Sequence, residues 1–190
     1  ADGQAAIAAC SRLLENKALA PAKRAEWFAQ RGWHRYRNGQ GAEGVGDFGK
    51  AIALDATKAG YVLGRSRAHR QAGDFASALA DADKTVAMEP KWSHAHAARG
   101  FALEGTGKWV DAIAAYDKAI AIAPNDATWY DARCWARAMK GDYLVGKSDC
   151  DKALELDATS WNSYNSRAYI HYRLGNHAAA VADDDKAIEA

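Results

Sequence analysis

Apolar side chains return at intervals of three and four residues along most of the chain, the period of a helix with one buried face. Between 109 and 122 the stripe is Trp109, Ala112, Ile113, Tyr116, Ala119 and Ile120. Before it, from Ser93 to about Thr106, a run rich in Ala with Arg and Leu suits another helix, because these residues lose little freedom there. Gly107 stands between the two runs and Pro124 follows the second. Glycine ends helices readily, and proline cannot donate the next hydrogen bond. The stretch 93–126 therefore reads as a helical hairpin. Near the start, Ala6, Ile7, Cys10, Leu13 and Leu14 predict one amphipathic helix from Ala5 to about Lys17, with 18–24 as a linker punctuated by Pro21.

The hairpin recurs. Lysines at Lys50, Lys84, Lys118, Lys152 and Lys186 are 34 residues apart each time. The columns Arg31, Arg65, Arg99, Arg133, Arg167 and Gly39, Gly73, Gly107, Gly141, Gly175 keep the same spacing. A fixed period of this kind signals stacked repeats, each too small to bury its apolar face alone. The expected organisation is a cap and linker over 1–24, then units at 25–58, 59–92, 93–126, 127–160 and 161–190. Small residues form two more columns: Gly32, Ser66, Gly100, Cys134, Ala168 in the first helix, and Gly44, Ala78, Ala112, Gly146, Ala180 in the second. These let paired helices approach closely. Gly41, Gly44 and Gly49 weaken the helix predicted over 42–54. Only Pro90 and Pro124 mark unit ends, and Ala56 and Ala158 stand in their place elsewhere, so helix termination there rests on linker and packing.

The period and these columns, over 25–190, resemble the tetratricopeptide repeat family. The resemblance implies an all-α, right-handed superhelical solenoid of antiparallel helix pairs. It also implies a concave groove in which the inner faces of the first helices bind a protein or peptide. Carried over column by column, the candidate contact residues are Trp33, Arg67, Phe101, Trp135, Tyr169 and Tyr36, Arg70, Glu104, Tyr172, with Arg37 beside them. One subclass of the family clamps a terminal carboxylate with asparagines and lysines. Here Trp33 and Arg67 stand where those asparagines belong, with Ala29 and Leu63 in the neighbouring columns, so the likeness to that subclass fails.

The arginine column has a structural explanation. Asp47, Asp81, Asp149 and Asp183 each lie 16 residues after the arginine of their own unit, which sets them opposite it across the hairpin. The expected pairs are Arg31–Asp47, Arg65–Asp81, Arg133–Asp149 and Arg167–Asp183, with a planar fork suited to bidentate contact. Arg99 has Ala115 at that place, leaving Asp111 or Asp117 as substitutes. Cys134 and Cys150 share the same separation and face each other either as buried thiols or as a disulfide. Elsewhere this register sets Gly32 against Phe48 and Gly100 against Tyr116.

Composition narrows the function classes. Of 190 residues, 49% are hydrophobic and only 3 are proline, unlike a disordered chain. The net charge of +1 speaks against nucleic acid as partner, and no apolar run is long enough for a membrane span. Yet residues 1–95 hold 14 Lys+Arg against 10 Asp+Glu, and residues 96–190 hold 11 against 14. No phosphate loop, zinc helix or nucleophile elbow occurs. Gly39–Gly44 lies at a hairpin turn after no strand, and His94 and His96 point apart on a helix. The expectation is a non-enzymatic protein with no cofactor. Its leading function is a peptide-binding scaffold. The alternatives are self-assembly into a homo-oligomer through the apolar face of 178–188, and a small-molecule binder or enzyme component. The start at Ala1-Asp2-Gly3 fits a mature chain after signal-peptide removal. The string Ile7–Leu14 before the repeats resembles exported proteobacterial repeat proteins, implying a periplasmic or secreted location, with a cytoplasmic one as the alternative.

Overall fold

The computed structural model describes residues 3–190. Ala1 and Asp2, on which part of the export expectation rests, lie outside them. The described residues form eleven α-helices: α1 Gly3–Glu15, α2 Pro21–Arg37, α3 Gly41–Leu54, α4 Ala59–Gln71, α5 Phe75–Met88, α6 Ser93–Glu104, α7 Trp109–Ile122, α8 Ala127–Lys140, α9 Tyr143–Leu156, α10 Trp161–Arg173 and α11 His177–Glu189. The fold is all-α. The chain divides into two compact units, up to Lys91 and from Trp92 onward. In the first, α1 packs on α2, the pairs are α2·α3 and α4·α5, and α4 also packs on α2 and α3. In the second, the pairs are α6·α7, α8·α9 and α10·α11, with α8 against α6 and α7, and α10 against α8 and α9.

The turns inside the pairs share one construction. Gly39, Gly73, Gly107, Gly141 and Gly175 all take positive φ, between 71° and 97°, where a Cβ is costly. The residue after each glycine donates its backbone N–H to the carbonyl five positions back: Gln40 to Arg35, Asp74 to His69, Lys108 to Leu103, Asp142 to Arg137 and Asn176 to His171, at 2.9–3.0 Å. These bonds take up carbonyls that a helix end leaves open. Between pairs, two solutions occur. Pro90 and Pro124 follow α5 and α7. After α3 and α9, Asp55 and Asp157 each accept from the backbone N–H and hydroxyl of Thr57 and Thr159, at 2.6–3.0 Å. Those carboxyls sit below their usual range because the threonine hydroxyls and amides hold the charged form. Termination there thus has a side-chain device, an Asx turn, where linker and packing alone were expected.

Helix α2 begins at Pro21, so helix occupies the last part of the expected linker. Proline is at home in a first turn, where its missing N–H would be unpaired anyway. Helix α3 forms in full from Gly41 despite its glycines. Gly41 approaches the backbone of α4 so closely that a Cβ would lie 2.8 Å from the Ala68 carbonyl, so its small size serves packing. Gly100 likewise faces the fully buried ring of Tyr116, which a Cβ would meet at 2.5 Å.

Candidate functional site

A repeated ionic framework holds the pairs. Arg31 donates through Nε and Nη2 to both carboxylate oxygens of Asp47, at 2.8 and 2.7 Å. Arg65 meets Asp81 the same way, Arg133 meets Asp149, and Arg167 meets Asp183, all at 2.6–2.9 Å. Each aspartate is buried, so these contacts act in a medium that screens little. A second basic column, one helical turn on, also addresses them. Arg35 donates to Asp47 at 2.7 Å and Arg137 to Asp149 at 2.6 Å. At the equivalent places His69 and His171 stand 4.0 and 3.9 Å from Asp81 and Asp183. The 93–126 hairpin has Leu103 and Ala115 in these columns, both buried and apolar. The free Nη1 of Arg133 and Arg167 reaches back to the preceding hairpin, to Asp117 at 2.6 Å and Asp151 at 2.8 Å. Asp117, one of the two acids expected as a partner for Arg99, accepts from Arg133. Asp183 is turned inward, leaving Asp184, Asp185 and Glu189 as the exposed acids of α11.

Cys134 and Cys150 form a disulfide, with Cα atoms 5.4 Å apart. It links α8 to α9 beside Ala138 and Ile170 in the core of the second unit. Cys10 is a free, buried thiol of α1, its pKa raised chiefly by burial. Among the described residues no group of three or more His, Cys, Asp and Glu is placed to hold a metal ion. Among the described residues no helix is long and apolar enough to cross a membrane.

The second unit carries an aromatic-walled cleft of about 440 Å³. Its three first helices build it. Helix α8 contributes Thr128, Asp131 and Trp135, spaced three and four apart and so on one face. Helix α6 contributes Phe101 and Glu104 on the same principle, and α10 contributes Trp161, Asn162, Asn165 and Ser166. Trp161 remains 53% exposed and Trp135 36%, large apolar surfaces open to a ligand. Asp131 lies inside, accepting from the Ser166 hydroxyl at 3.2 Å. Burial pushes its carboxyl above the ordinary value, against the opposing pull of hydrogen bonds from Ser166 and Ser163. None of the residues lining the cleft is basic.

Residues 63–127 match the tetratricopeptide repeat family. Among solved structures, a thermophilic tetratricopeptide repeat protein of Thermus thermophilus superposes with a TM-score of 0.79 at 18% identity, over 87% of this chain and 90% of that one. A tetratricopeptide repeat protein of Parabacteroides merdae gives 0.81 at 18% identity, over 99% and 73%. The chain has the tetratricopeptide repeat fold. MamA of Desulfovibrio magneticus, from its residue 41 onward, shares that fold at 0.72 and 19% identity, over 90% and 96%. No curated protein sequence matches the chain.

Within this repeat fold the candidate contact residues separate. Phe101, Glu104 and Trp135 line the cleft just described, while Tyr169 and Tyr172 line a neighbouring one of about 350 Å³ between α10 and α11. Tyr169 accepts from Arg173 at 2.6 Å and stands 5.6 Å from Trp135. In the first unit, Trp33 sits edge-on to buried Phe48 and to Tyr36, and the Arg67 guanidinium lies 5.8 Å over its ring. Burial lowers the Arg67 pKa; Tyr36 opposes this and Arg70 adds to it. Arg37 is exposed. A cleft of about 310 Å³ does open beside Trp33, but Lys23 and Glu26 on its rim already pair at 2.6 Å. Sequence reasoning missed Asp131 and Asn165. They continue the column of Ala29 and Leu63, whose apolar character hid a change of chemistry two units later.

Proposed function

We propose that this protein is a non-catalytic scaffold that binds an extended segment of another protein through the first-helix face of its second unit. The observation that carries the reading is the open cleft walled by Trp135, Trp161 and Phe101. Half-exposed tryptophans supply contact area at small entropic cost, and the Asn162 and Asn165 amides beside them can both donate to and accept from a peptide backbone. The test is selection of peptides on the full chain, repeated on a Phe101→Ala/Trp135→Ala/Trp161→Ala variant. Loss of the selected binders supports the cleft; an unchanged set of binders removes it.

A second reading is self-association through α11. It is favoured by Val181 and Ile188, which stand 59% and 83% exposed. Light scattering over a range of concentrations decides it, since a strict monomer excludes assembly. We also propose an oxidising, exported location. The Cys134–Cys150 disulfide supports it, because such bonds persist mainly outside reducing compartments. Thiol titration of the protein taken from its native compartment is expected to find one free cysteine, and three would place it elsewhere.

A further inference from the structure

We infer that the cleft of the second unit takes the side chain of a lysine or arginine in the bound segment, seated between Trp135 and Trp161 and pairing with Asp131. The inference rests on the peptide-binding reading and adds the chemistry of the partner. Its basis is an unbalanced charge. Each of the framework aspartates Asp47, Asp81, Asp149 and Asp183 has its own arginine within 2.9 Å. Asp131 does not share that arrangement: its hydrogen bonds come from the neutral hydroxyls of Ser166 and Ser163, and the residues lining its cleft include no Lys, Arg or His. A half-buried carboxylate held only by neutral donors is costly, and a cation that enters beside it recovers part of that cost.

The walls suit the same guest. Indole faces attract ammonium and guanidinium groups through the ring quadrupole. The aliphatic stem of a long basic side chain can lie along the apolar part of the cleft while its head reaches the acid. An acidic side chain would meet Asp131 as a like charge, and a short polar one would leave the tryptophans uncovered. The surrounding unit reinforces the choice, since residues 92–190 carry 11 Lys+Arg against 14 Asp+Glu, which favours approach of a basic segment.

The experiment takes a binder selected from a random peptide library on the full chain and remakes its basic position as Lys, Arg, norleucine and Glu. Affinities are measured by fluorescence anisotropy for the unaltered protein and for Asp131→Asn, which keeps a hydrogen-bond acceptor for Ser166. On the unaltered protein, norleucine in place of Lys should weaken binding about tenfold, the scale of a hydrogen bond to a charged group. On Asp131→Asn the same replacement should cost less than about twofold. Trp161→Ala, altered at an exposed position, should weaken the Lys peptide while leaving norleucine less affected. Binders without enrichment in Lys or Arg, or an equal norleucine loss on both proteins, would overturn this inference and leave the groove reading standing. Failure to select any saturable binder would overturn both.

Discussion

The two compact units solve the same packing problem and spend their exposed faces differently. Both pair helices through a bidentate arginine–aspartate contact, at Arg31 and Arg65 in the first and at Arg133 and Arg167 in the second. In the first unit, residues 1–91 carry 14 Lys+Arg against 10 Asp+Glu, and the face of the first helices is packed on itself, with Arg67 over Trp33 and Trp33 against Phe48. In the second, the corresponding columns hold Asp131 and Trp135, and the face stays open as an acidic, aromatic cleft. The framework columns fix helix spacing, so the face columns are free to change charge and size without moving the backbone. The chemistry that distinguishes the two units therefore resides in the columns that do not repeat.

The largest effect should come from breaking the framework in the second unit. Asp149→Ala takes the buried carboxylate from Arg137 and leaves Arg133 with Asp117 alone, so a loss of about 3–5 kcal/mol is expected in urea unfolding. Asp81→Ala in the first unit should cost less, because its arginine is more exposed and its second partner is a histidine at 4.0 Å. Reducing the Cys134–Cys150 bond opens a loop of 16 residues and should cost about 3 kcal/mol on the chain-entropy estimate. Hydrogen exchange should then accelerate in α8 and α9 and leave α2–α5 unchanged. Gly100→Ala drives a methyl group into the buried Tyr116 ring, for which about 1–3 kcal/mol is expected, reduced by the better helix propensity of alanine. Thermal melts check its sign and size.

The smallest effect has the opposite sign. Asp131 has a carboxyl whose folded pKa is raised by burial. The folded state therefore binds the proton more tightly than the unfolded chain, and the charged form weakens folding at neutral pH. Asp131→Asn should raise the melting temperature slightly at pH 7. The gain should shrink as pH falls through the raised pKa and vanish below the ordinary aspartate value. A site that trades stability for ligand binding behaves this way.

Local signals in the chain carried much of the fold. The apolar stripe and its flanking glycine and proline predict the second helix of 93–126 with the same ends that the structure shows, Trp109 and Ile122. The 16-residue register also sets Cys134 beside Cys150 and Gly100 beside Tyr116, because positions across one short hairpin are fixed by its turn. Contacts between hairpins were less legible. Asp117 and Asp151 also lie 16 residues from an arginine, but on the preceding side, and only the stacking of neighbouring pairs makes that contact. The acids Asp55 and Asp157 act through their own following threonines, a local device visible in the repeated Asp-Ala-Thr string. Asp131 escaped because one column changes from Ala29 and Leu63 to a carboxylate, and a period shows what recurs.

The central claim is that the open face of α6, α8 and α10 is where a partner segment lies. Hydrogen exchange of the full chain with and without a selected basic peptide tests it directly. Slowed exchange over residues 127–135 and 161–166, with residues 3–91 unchanged, is the expected result. Protection confined to α7, α9 or α11 would contradict it.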